Sequence, residues 1–101
     1  MDYSIVMTTC ATRADGETLA EGIIRAKLAV SVQIGEVMSL CDWEGELKKT
    51  KEFLLLIKGQ KDLFPTLKEY LLANHPYEVP EMLQMDIASG NPLHFPYTLG
   101  G

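Results

Sequence analysis

Cysteine is scarce in this 101-residue chain: Cys10 and Cys41 are the only two. Their spacing is not CxxC, and one pair makes no disulfide framework. The plain reading is two unpaired thiols in a reducing cytoplasm; a redox or metal-binding pair is the alternative. Positive charge is scarce as well. Nine basic against fourteen acidic side chains leave a formal charge of -5, and the densest basic run, Lys48, Lys49 and Lys51, is flanked by Glu46 and Glu52. A nucleic-acid binder of this size normally shows a basic patch, so nucleic acid is not an expected partner. No apolar run approaches the roughly 18 residues that suggest a membrane span. The opening MDYSIVMTTC lacks a basic n-region, so neither membrane insertion nor a signal peptide is expected. Gly35, Gly45 and Gly59 stand alone, which excludes a glycine-rich phosphate loop, and neither HExxH nor GxSxG occurs.

What is present is core. Apolar residues make up 47% of the chain, enough for one folded domain over 1–101 and too short for two. Tyr3 to Thr9, centred on Ile5 and Val6, reads as a strand. A helix is expected over roughly 16–28, with Leu19, Ile23 and Ala26 at helical spacing. Asp15 is one candidate cap, and Thr18 with Glu21 offers a capping box. From Val30 the period becomes two, running to about Asp42, with Glu36 breaking the apolar parity and suggesting a bulge near Gly35. Trp43 to Glu46 supplies a turn, and Leu47 to Lys58 a second long strand.

The next helix is expected to begin near Asp62 as a cap, with Pro65 in its first turn. Asn74-His75-Pro76 ends it, because a residue before proline avoids helical geometry. Glu81 to Ile87 alternates as a strand, with Met82 and Gln84 on one side and Leu83, Met85 and Ile87 on the other. Leu93 to Leu99 is expected as a short edge strand or a docking tail.

The order strand, helix, strand, strand, helix, strand predicts an α+β fold. Its plan is ferredoxin-like (split βαβ), an antiparallel sheet with both helices on one face. Phe53 to Ile57 is apolar on both faces of its strand, yet the helices cover only one. Another copy of the chain is the simplest cover. Hiding even about 400 Å² per subunit would contribute on the order of 10 kcal/mol before association costs.

The densest polar cluster is His75-Pro76-Tyr77-Glu78-Val79-Pro80-Glu81. Imidazole with carboxylate help suits Cu(II) or Zn(II), so His75 and Glu81 are candidate metal ligands, and His75 is equally readable as a helix-end hydrogen-bonding residue. Cys41 offers a soft ligand for reduced copper, or plain packing. His94 either completes a site with His75 or is a surface histidine. Lys58 is readable as ligand-facing or as an edge lysine reaching for water. Trp43 is readable as an anchor at a hairpin tip or as ordinary packing.

Five segments together resemble the CutA divalent-ion tolerance family, in the family's order and over nearly the whole chain. They are Thr8-Thr9-Cys10; Lys27 to Ile34; Ser39-Leu40-Cys41-Asp42-Trp43-Glu44-Gly45; Glu52 to Lys58; and His75 to Glu81 with Gly90-Asn91-Pro92 after it. The resemblance implies a ferredoxin-like subunit in a tight homotrimer and a cytoplasmic protein linked to tolerance of copper and other divalent cations. It brings no established catalytic residues, and metal contact carries over most naturally to His75, in clefts between subunits. The chain departs from the family at Ser31, where cysteine is usual, and at Gln33, Cys41, Gly59 and His94. Ser31 removes a thiol that would serve copper, and Cys41 and His94 are the candidates to replace it.

The expected function is therefore that of a non-enzymatic homotrimer that binds Cu(II) or another divalent cation, or a small ligand, weakly between subunits. The alternative is a signalling or structural trimer that recruits a protein partner through its acidic surface and hairpin tip, without physiological metal.

Overall fold

The computed structural model describes residues 2–91. Its elements follow the expected order: β1 (Tyr3–Cys10), α1 (Arg13–Arg25), β2 (Ser31–Trp43), β3 (Glu46–Gln60), a 3-10 turn (Lys61–Leu63), α2 (Phe64–Asn74) and β4 (Leu83–Asp86). The strands form one antiparallel sheet in the order β2-β3-β1-β4. The expected strand over Leu93 to Leu99 lies outside the described residues.

Helix α1 starts three residues earlier than expected, and neither Asp15 nor Thr18 caps it. Thr12 does: its backbone is extended, and its hydroxyl oxygen accepts from the Asp15 amide at 3.1 Å. Asp15 then stands in the first turn, where its carboxylate suits the helix dipole. The helix ends in a Schellman motif. Leu28 N–H donates to Ile23 O at 3.1 Å and Lys27 N–H to Ile24 O at 3.0 Å, with Lys27 in the left-handed region at φ 59°. A glycine there would have signalled the stop; lysine concealed it.

No bulge occurs at Gly35. The β2–β3 ladder runs without interruption from Ser31 opposite Lys58 to Trp43 opposite Glu46. Glu36 stays in register opposite Phe53, on the edge strand β2 and at the last row before the hairpin leaves the sheet body. There its carboxylate is exposed, 3.5 Å from Lys51 Nζ. Glu44 (φ 52°) and Gly45 (φ 84°) form the two-residue turn, a type I′ geometry that requires positive φ at both. The Gly45 amide donates to Asp42 Oδ1 at 2.9 Å.

Asp62 does not cap α2. It lies inside the 3-10 turn, and α2 begins at Phe64 with Pro65 in its first turn and no side-chain cap. His75 is extended (φ -70°, ψ 137°), as Pro76 requires. β4 is shorter than expected and, among the described residues, pairs with Ser4 to Met7 of β1.

The core lies between the helices and one sheet face. Val6, Cys10, Leu55 and Ile57 from the sheet meet Leu19 and Ile23 of α1 and Leu67 and Leu71 of α2. Gly59 lets the chain after α1 approach closely: a Cβ there would sit 3.1 Å from Ala29 Cα and 3.3 Å from Leu28 O. On the other face, the ladder aligns Leu56 with Met7 and Met7 with Leu83, and in the next row Ile5 with Met85. Among the described residues, no helix covers this face. Beyond the body the β2–β3 hairpin continues as an arm, leaving Met38, Leu40, Trp43 and Leu47 exposed. The arm explains the 47 × 26 × 22 Å extents and a radius of gyration of 14.4 Å, against about 13 Å for a compact chain of this length.

Candidate functional site

The His75 cluster folds against the C-terminal end of β1. Strand alternation turns Cys10 to the core, and the end of α2 brings His75 down upon it. The imidazole is buried, at 8% exposure. Its Nε2 lies 2.9 Å from the carbonyl oxygen of Thr9 and 3.9 Å from Cys10 Sγ. Its Nδ1 lies 3.0 Å from the Tyr77 amide nitrogen. A backbone amide only donates and a carbonyl only accepts, so Nδ1 is the acceptor and Nε2 carries the proton. Both ring nitrogens are thus engaged. The Tyr77 ring is tilted against the imidazole, with centroids 5.0 Å apart.

Burial, followed by the nearby Asp15 carboxylate, raises the Cys10 thiol above its ordinary range. Burial first, then Glu52, Cys10 and Asp15, likewise raises the Tyr77 phenol. These shifts make Cys10 a poor nucleophile at neutral pH. The Arg13 guanidinium lies 5.2 Å from the Phe53 ring centroid at the edge of the same corner.

The remaining candidates are dispersed. Glu81 is exposed after the His75–Pro80 loop. Cys41 is exposed on the arm, level with Lys48, whereas Cys10 is level with Phe53. Five residues of strand separate those levels, roughly 16 Å, so Cys41 does not join His75 within the chain. His94 lies outside the described residues. Trp43 stands exposed near the arm's tip, with Lys48 Nζ 5.7 Å from its ring centroid. Lys58 is half-buried on the open face.

Among the described residues, no three His, Cys, Asp or Glu side chains are grouped to hold a metal ion. The imidazole of His75 is already engaged on both nitrogens, and among the described residues it belongs to no such group. His75 is the helix-end hydrogen-bonding residue that one reading of the sequence expects, but its partner at the end of β1 has no local signal. The parity of Val6, Thr8 and Cys10 was the available signal that Cys10 belongs to the core and meets whatever closes that corner.

Comparison with known proteins agrees with this architecture. The profile of the CutA1 divalent ion tolerance protein family matches residues 4–98. The divalent-cation tolerance protein CutA of Thermus thermophilus is 38% identical over 88 residues, covering 86% of this chain and 85% of that protein. The human Protein CutA is 32% identical over 95 residues, covering 93% of this chain. The chain spans about half the length of that relative, 51%. The solved divalent cation tolerance protein (Cut A1) from Thermus thermophilus superposes with a TM-score of 0.85 at 34% identity, covering 94% of this chain and 93% of that one. The chain belongs to the CutA1 divalent ion tolerance protein family.

Proposed function

We propose that this chain acts as a ferredoxin-like homotrimer in divalent-cation tolerance, without catalysis, and that it contacts copper or another divalent cation, or a small ligand, weakly in clefts between subunits. The observation that carries the reading is the open sheet face. Ile5, Met7, Leu54, Leu56, Leu83 and Met85 line it, and among the described residues no helix lies above them. Apolar surface of that extent gains by burial against other copies. The geometry of His75 supports weak rather than tight contact in this reading. A cation reaching Nδ1 must displace the Tyr77 amide, and Glu81 or groups from a second copy must complete its ligands. The buried Cys10 thiol offers no activated nucleophile, in keeping with a non-enzymatic role. The exposed, unpaired Cys41 thiol suits a reducing cytoplasm.

Sedimentation of Leu56→Glu tests the assembly. Wild type is expected as a trimer at micromolar concentration, and the variant as a folded monomer. A wild-type monomer would remove the reading. Calorimetric titration with Cu(II) on wild type and His75→Ala tests the metal contact, and identical binding in both would eliminate His75 as a ligand. Exposure of Trp43 at the arm's tip, 62%, favours a second reading in which the trimer recruits a protein partner. In that case Trp43→Ala loses the partner in a pull-down while the trimer persists.

A further inference from the structure

The open face carries a charge that any covering copy has to accommodate. The ladder sets Lys58 level with Ile5 of β1 and Ser31 of β2, and Ile5 level with Met85 of β4. One row across the open face therefore reads Ser31, Lys58, Ile5, Met85. The adjacent row reads Gln33, Leu56, Met7, Leu83, and the next Gly35, Leu54, Thr9. These three rows hold one cation and no carboxylate. The nearest acidic residue of the same parity on β3 is Glu52, level with Val37. It is six residues from Lys58, roughly 20 Å along the strand. Asp86 belongs to the opposite parity and pairs with Lys61 at 3.0 Å. Among the described residues Lys58 has no carboxylate within ion-pair distance.

Covering this face with another copy removes the water that solvates the Lys58 ammonium. An ammonium taken out of water needs a counter-charge with good hydrogen bonds. The described residues of the face supply none, while Ser31 and Gln33 beside it bring neutral donors. We propose that Lys58, assisted by Ser31 and Gln33, binds a small oxyanion, carboxylate or phosphate, where subunits meet. The proposal rests on the trimeric reading and gives its small ligand a chemical class. The anion completes the interface, and the same interface shields it from competing water.

The test uses the full chain in chloride buffer, with inorganic phosphate and acetate as separate probes. Calorimetry reads binding, and sedimentation reads assembly. Wild type is expected to be a trimer that binds at least one probe, and the probe that binds identifies the preferred oxyanion. Lys58→Met is expected to remain trimeric without added anion and to bind the probe at least about tenfold more weakly. Lys58→Arg, which keeps the charge, is expected to retain binding. A wild-type trimer indifferent to both probes overturns the proposal, as does unchanged binding in Lys58→Met. A Lys58→Met chain that fails to assemble whatever the anion overturns it too, and assigns the ammonium to a carboxylate of another copy. A wild-type monomer is a distinct result that removes the trimeric reading and the proposal together.

Discussion

The imidazole of His75 donates to the carbonyl oxygen of Thr9 at 2.9 Å and so ties the end of α2 to the end of β1, across 66 positions of sequence. Its other nitrogen receives the Tyr77 amide at 3.0 Å and starts the loop that follows. One buried ring thus fixes three backbone segments.

Replacing His75 with alanine leaves the Thr9 carbonyl and the Tyr77 amide without these partners and opens a void. Stability is expected to fall by about 2–4 kcal/mol. Urea unfolding followed by circular dichroism measures it, and a loss under about 0.5 kcal/mol, the range of ordinary surface changes, would mean that the ring is dispensable to the fold.

The thiols are expected to differ sharply in reactivity. Cys41 is exposed, whereas Cys10 is fully buried with its thiol raised by burial and by Asp15. Disulfide-exchange titration of the native protein at neutral pH should modify one thiol per chain rapidly, and Cys41→Ser should abolish that fast phase.

Cys10 also predicts an alkaline loss of stability. Its folded value lies above the ordinary 9.0, so the unfolded chain releases this proton first as pH rises. The stabilisation is complete below that ordinary value and is lost progressively up to the folded one. Tyr77, raised from 10.0, adds the same sign at higher pH. Unfolding free energy should therefore decline above about pH 9, and Cys10→Ala, though less stable at neutral pH, should flatten the first part of the decline.

Gly59 is expected to resist substitution despite its place in a regular strand. A β-carbon there would press against Ala29 Cα and the Leu28 carbonyl, backbone atoms that cannot rotate away. Gly59→Thr should cost about 1–3 kcal/mol in urea unfolding, against the β-propensity of threonine. A neutral or stabilising result would show that the segment after α1 shifts freely.

Lys27 offers the opposite case. It occupies a left-handed position at the end of α1, exposed and without steric need for its side chain. Lys27→Gly should raise stability by about 0.5–1 kcal/mol, after allowing for the greater freedom of glycine in the unfolded chain. An unchanged urea midpoint would refute this.

The strands were legible where one face is buried. Alternation through Val30, Val32 and Ile34 and the doubly apolar Phe53 to Ile57 located β2 and β3, and Trp43 to Glu46 located the turn between them. Local chemistry with several equivalent choices was less legible. Thr12, Asp15 and Thr18 are all competent caps within seven positions, and only the packing of Leu19 and Ile23 selects among starts. Glu36 suggested a bulge on the premise that its position is buried, but β2 is the sheet's edge strand and the carboxylate there is exposed beside Lys51. His75 was visible as chemistry, while its partners Thr9 and Cys10 were not, because long-range contact leaves no periodic trace.

The arm of β2 and β3 outlives the core that starts it. From Val37 to Lys51 it is a two-stranded ribbon secured by its own ladder and the Glu44–Gly45 bend, with no helix of the described residues behind it. Ribbons of that kind are marginal when alone. If other chains clasp it, amide exchange along the arm should slow as protein concentration rises, while exchange at Val6 and Ile57 stays constant. Neighbours would then act as tutors of conformation for half of this hairpin, and dilution would be felt first at its far end.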